Sequence, residues 1–101
     1  MYRLTQMKAE ILQSSPIIKE EDVEVKQISF ELDDTYEEYP YCAKIEIEDA
    51  TSDLVPSVNF NIKDSLSGNF APVANTGQGY VVIYAKEIPT QNVLISSVVL
   101  Q

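Results

Sequence analysis

The chain has 101 residues, 7 basic and 16 acidic, for a net charge of −9, with no histidine and a single cysteine. A chain without histidine and with one thiol cannot build a Ser-His-Asp or Cys-His machine or the common zinc ligand sets, which removes most hydrolase mechanisms. Acidity of this size repels nucleic-acid phosphates and anionic lipid surfaces, so neither is an expected partner.

The length fits one domain over residues 1–101, with residues 1–22 as a peripheral N-terminal arm. In that arm Leu4, Met7 and Ile11 are spaced like one face of a helix, while Met7, Ala9 and Ile11 alternate like a strand. Ser14-Ser15-Pro16 ends the element either way, because proline lacks a donor and restricts the residue before it. The first residues hold no apolar run of signal-peptide length, and no segment approaches a membrane span. The reading is of a protein not classically secreted, and the unpaired Cys42 fits a reducing compartment.

From residue 23 the pattern turns to strands. In residues 23–32, Val23 and Val25 share one phase and Ile28, Phe30 and Leu32 the other, which one strand reconciles by a bulge near Lys26-Gln27. Asp33 to Pro40 is a polar, acid-rich loop, and Tyr36, Tyr39 and Tyr41 lie in or beside it. Residues 41–48 alternate cleanly, with Tyr41, Ala43, Ile45 and Ile47 opposite Cys42, Lys44, Glu46 and Glu48. After a turn at residues 49–53, Val58, Phe60 and Ile62 bring another apolar face, with Pro56 near that strand's start. Residues 64–68 turn the chain, residues 67–72 read as a short strand, and Asn75-Thr76-Gly77-Gln78-Gly79 marks a further turn. Residues 80–85 and 93–100 are apolar on both faces, so something must cover the second face: the N-terminal segment or another subunit.

These elements give an all-β fold, an antiparallel β-sandwich of about seven short strands, with a short N-terminal helix or an extra strand. The expected core holds Ile28, Phe30, Ile45, Ile47, Val58, Phe60, Val82, Tyr84 and Ile95.

Charge is uneven along the chain: residues 1–50 carry 5 basic and 13 acidic groups, residues 51–101 only 2 and 3. An acidic solvated face that keeps a small domain soluble explains this, as does a docking face for a basic partner. The candidate ligand-binding residues are Tyr36, Glu37, Tyr39 and Tyr41, since flat rings with hydroxyl tips beside carboxylates suit sugar hydroxyls. The competing reading sends Tyr41 into the core and lays Tyr36 and Tyr39 over a sheet end. Asp33, Asp34, Glu37 and Glu38 are oxygen donors, but they lack the spacing of a calcium loop, so no metal and no cofactor is expected. Gly77-Gln78-Gly79 is followed by a strand without Lys-Ser or Lys-Thr and is not a phosphate loop. A carboxylate-pair enzyme drawing on Glu37, Glu38, Glu46 and Glu48, of which Glu46 and Glu48 share a strand face, is the remaining catalytic alternative.

The runs Pro56-Ser57-Val58-Asn59-Phe60, Asp64-Ser65-Leu66-Ser67-Gly68-Asn69-Phe70-Ala71-Pro72 and Gly79-Tyr80-Val81-Val82-Ile83-Tyr84-Ala85, then Ile88-Pro89 and a closing strand over residues 95–100, resemble the C-terminal β-modules of bacteriophage tail-fibre and baseplate appendage proteins. Ala43-Lys44-Ile45-Glu46-Ile47 is similar to the strand preceding them, so the likeness spans residues 39–101. The resemblance implies a non-enzymatic virion or prophage component, assembled in the bacterial cytoplasm. It further implies a homo-oligomer, with a trimer favoured, that attaches to host-surface carbohydrate or protein or to other tail proteins. The chain holds neither a long shaft nor a particle-attachment domain, so a small accessory tail protein or a free-standing terminal module is expected. No motif fixes the family's contact residues, so none is carried onto this chain. The alternative from charge is a small acidic phage-encoded inhibitor that occupies a basic site on a host protein.

Overall fold

A computed structural model describes residues 17–101. The strands are β1 (Ile18–Val25), β2 (Glu31–Tyr36), β3 (Tyr39–Glu46), β4 (Pro56–Phe60), β5 (Asn75–Gly77), β6 (Tyr80–Ala85) and β7 (Val93–Leu100). A 3-10 turn (Gln27–Ser29) joins β1 to β2, and one short helix, α1 (Ile62–Ser67), follows β4. The strands make two antiparallel sheets, ordered β1-β7-β4 and β2-β3-β6-β5. This is the all-β, seven-strand sandwich expected from the alternation. The expected element around Leu4, Met7 and Ile11 lies outside the described residues, whereas residues 18–21 of the expected arm are paired with β7. No helix among the described residues is long and apolar enough to cross a membrane.

The core lies between the sheets and is built by alternation. Ala43 and Ile45 of β3, Val81, Ile83 and Ala85 of β6, and Val93, Ile95, Val98 and Leu100 of β7 all point inward and are buried. In β7 the inward phase changes between Ile95 and Val98, and both neighbouring strands adapt. The register with β4 shifts between Asn59 and Phe60, and on β1 Asp22, opposite Ser96, takes a left-handed φ of 53°. Aspartate is one of the few non-glycine residues that tolerates this conformation, and the distortion keeps every β7 apolar anchor inside.

Several expectations need correcting. The single strand over residues 23–32 is two strands in different sheets. The phase break at Lys26-Gln27 is a 3-10 crossover instead of a bulge, so Phe30 enters the core while Ile28 and Leu32 stay 88% and 77% exposed. Residues 62–67 form a helix instead of a continued strand and turn. The Asn61 side chain accepts a hydrogen bond from the Asp64 amide, and Gly68 closes the helix at φ 73°. Residues 67–72 contribute one isolated bridge, Phe70 to Ala85, instead of a strand. Of the expected core, Val82 and Tyr84 are buried on the outer face of their sheet instead of between the sheets. The apolar surplus of β7 is smaller than it reads, because its outer face carries Leu94, Ser97 and Val99, and Ser97 bonds Asn59 at 3.0 Å.

Candidate functional site

The outer face of the four-stranded sheet carries a second, smaller apolar cluster of Cys42, Ala71, Val82 and Tyr84, with Tyr36, Tyr39 and Tyr80 packed against it. This answers what covers the second face of β6: the chain's own tyrosines do. β2 and β3 form a hairpin whose two-residue turn is Glu37-Glu38, with Tyr36 opposite Tyr39. The β2–β3 register shifts between Leu32 and Tyr36. That irregularity puts Tyr36 and Tyr39 on the outer face while Tyr41 packs on the inter-sheet core.

The hairpin is anchored through Tyr84. The Tyr36 ring meets the Tyr84 ring edge-on, centroids 4.8 Å apart at 88°. Asn75 Nδ2 donates to both phenol oxygens, at 3.2 Å to Tyr36 and 2.8 Å to Tyr84. Burial pushes the Tyr84 phenol above its ordinary pKa, against the pull of hydrogen bonds from Asn75 and Thr35. At neutral pH Tyr84 is therefore an uncharged partner in a fixed network. Burial likewise raises the Cys42 thiol, reinforced by the carboxylates of Asp33 and Glu31, so this cysteine packs as a small neutral side chain.

Two lysines share this face. Lys44 Nζ lies 4.6 Å from the Tyr80 ring centroid and Lys86 Nζ 5.7 Å from that of Tyr39, both within cation–π reach. Gly77, opposite Tyr80 in the β5–β6 hairpin, has no room for a Cβ because the Tyr80 ring lies over it. This glycine, read from sequence as a turn signal, is a seat for an aromatic ring.

Of the sequence-derived candidates, Tyr36, Glu37 and Tyr39 gather at the hairpin tip, and Tyr41 sits on the opposite face of β3. Tyr36 and Tyr39 are half-buried, and Glu37 and Glu38 are exposed. A shallow open depression lies beside the tip, with Leu32, Tyr36 and Pro40 as apolar surface and Asp33, Asp34 and Glu37 as acidic surface. Asp33 is partly engaged, since its Oδ2 accepts from the Thr35 amide at 3.0 Å. Among the described residues no three carboxylate or thiol groups converge as a metal site. Asn75, Tyr80 and Tyr84 complete this face and were not singled out as site residues. A signal existed in the alternation of Tyr80, Val82 and Tyr84 along one face of a strand. Comparison with known protein families, with characterised proteins and with solved structures finds no match to this chain.

Proposed function

We propose that this chain is a non-enzymatic recognition module of the phage tail-fibre or baseplate kind, a virion component that assembles with copies of itself and attaches to host-surface carbohydrate. The observation that carries the reading is the β2–β3 hairpin tip, where Tyr36 and Tyr39 bracket an exposed Glu37-Glu38 turn. The tip is braced from behind by Tyr84 and Asn75. A stiff platform with ring edges and carboxylates suits sugar rings, whose apolar faces stack on tyrosine while their hydroxyls donate to carboxylates. Each site would bind weakly, and linked copies would raise the avidity.

The test is binding of the purified full-length protein to an array of bacterial surface polysaccharides at low and high salt. Retention of particular polysaccharides at high salt is expected. Absence of binding to every polysaccharide would sink the carbohydrate reading.

A second reading is favoured by one observation. Residues 18–38, which form β1, the crossover and the β2 hairpin side, carry nine carboxylates and two lysines, and the one ion pair among the described residues is Lys19–Glu21 at 3.4 Å. Such a surface suits a basic site on a host protein. Capture of a basic protein that is lost between low and high salt, with no polysaccharide bound, would establish that reading instead.

A further inference from the structure

Charge is spread unevenly over the sandwich. Against the nine carboxylates of residues 18–38, residues 55–85 carry one lysine, Lys63, and one carboxylate, Asp64. On that near-neutral stretch Val55, Ile62, Leu66 and Val73 are 66%, 77%, 79% and 50% exposed. Scattered single apolar residues are normal on a monomer, but these gather around one concavity.

The concavity opens between β4 and residues 70–74, and Val58, Phe60, Phe70, Ala74 and Ile83 line it. Phe60 and Phe70 stack with centroids 4.6 Å apart and form its aromatic wall. Val55 and Val73 also border it, and α1 stands at its side through Asp64 and Ser65. Ile62 and Leu66, four residues apart on α1, make one exposed ridge. A hollow and a ridge therefore lie side by side on the part of the surface that carries almost no charge. Strand addition at this edge is disfavoured, because Pro56 has no amide to donate and the Phe60 carbonyl accepts from Ser65 Oγ at 3.3 Å. What the edge offers is side-chain packing.

We propose that this edge is the docking surface for a second copy of the chain, with the Ile62/Leu66 ridge of one protomer seated in the Phe60–Phe70 hollow of another. Two arguments identify the occupant as a second copy. Each copy carries −9, so two copies meet without apposing carboxylates where the surface is neutral, and this edge is such a surface, with one lysine and one carboxylate in residues 55–85. A ridge beside a hollow is also self-complementary, the property that repeated use of one patch in a symmetric assembly requires. The inference rests on the reading of the chain as an assembling module and names the surface through which it assembles.

The experiment is sedimentation equilibrium of the full chain over a wide concentration range, for wild type, Leu66→Glu, Val73→Glu and the control Ile28→Glu in the acidic stretch. Wild type should sediment as a dimer or a larger whole-number multiple of the monomer. Leu66→Glu and Val73→Glu should each weaken assembly at least tenfold, and Ile28→Glu should match wild type. Added salt should strengthen or preserve the assembly by screening like charge. Far-UV circular dichroism checks that each variant is folded; the two variants sit on separate elements, so the loss of one to misfolding leaves the other as the test. A wild type monomeric at every concentration would overturn the proposal, as would folded Leu66→Glu and Val73→Glu that assemble normally, or dissociation caused by Ile28→Glu. Mass is read without any ligand, so failure of assembly is separable from failure of attachment.

Discussion

Replacing Tyr36 by alanine tests whether the hairpin tip is held by the tyrosine cluster behind it. Tyr36 is half-buried and its ring meets Tyr84 edge-on at 4.8 Å. A buried tyrosine covers on the order of 200 Å². Half of that, about 100 Å² at roughly 25 cal/mol per Å², contributes about 2.5 kcal/mol, and the edge-on pair adds about 1 kcal/mol. Tyr36→Ala is therefore expected to cost about 3.5 kcal/mol, out of a total of roughly 5–15 kcal/mol for a domain of this size. That corresponds to a fall in Tm of about 20 °C. Tyr36→Phe keeps the ring and loses only the 3.2 Å bond from Asn75, whose amide still serves Tyr84, so it should cost about 0.5 kcal/mol. Urea unfolding followed by far-UV circular dichroism reads both. An alanine variant within about 0.5 kcal/mol of wild type would refute the reasoning, as would a phenylalanine variant as damaged as the alanine one. Stability also bears on attachment experiments: alanine at Tyr36 or Tyr39 removes packing as well as a ring at the tip, whereas Glu37→Gln, on the exposed turn, probes the tip without that cost.

Thr76 Oγ1 is buried with no hydrogen-bond partner, so Thr76→Val, nearly equal in shape, should stabilise the domain by about 1 kcal/mol; a urea midpoint lower than wild type would contradict this. Gly79 sits at φ 88° with open space where a Cβ would go, so Gly79→Ala should cost about 1–2 kcal/mol from backbone strain alone; an unchanged midpoint would contradict that. Cys42 and Tyr84 both have folded pKa values above their ordinary ones, chiefly through burial, so the folded state favours their neutral forms. Their contribution is full below the unfolded values, roughly pH 8.5 for the thiol and 10 for the phenol, and is lost as pH rises through the folded values. Urea midpoints should fall from pH 7 to 10.5, with the thiol's share of the fall absent in Cys42→Ala; identical falls for both proteins would refute the thiol's part. The buried thiol should also react with a disulfide reagent at least tenfold more slowly in native buffer than in urea.

Alternation made the sheets legible from sequence. Residues 41–48 announced both faces of β3, and the bulk of β6 and β7 followed from apolar density. The crossover at Gln27–Ser29 was not legible, because the phase break between Val25 and Ile28 has the same signature in a bulged strand as in a chain that changes sheets. Choosing between them depends on whether Phe30 has a partner in the core, and Phe70, its ring 6.3 Å away, is forty residues distant in sequence. Helix α1 was hidden for a different reason: only six residues long, it presents Ile62 and Leu66 to solvent and so lacks the inward apolar stripe that marks a helix. Its cap was readable in Asn61, Asp64 and Gly68. The hairpin tip was located by its tyrosines and acids, but its anchoring through Asn75 joins residues 39 apart and left no local trace.

The measurement that tests the proposed function most directly is attachment of fluorescently labelled full-length protein to a panel of intact bacteria, comparing wild type, Tyr39→Ala and Glu37→Gln. The account predicts saturable binding of wild type to some of these cells at high salt, reduced at least tenfold by either substitution, with the urea midpoint of Glu37→Gln close to wild type and that of Tyr39→Ala lowered by the loss of its packing on the cluster but the variant still folded. Binding that is indifferent to both substitutions, or no binding to any cell, would contradict it.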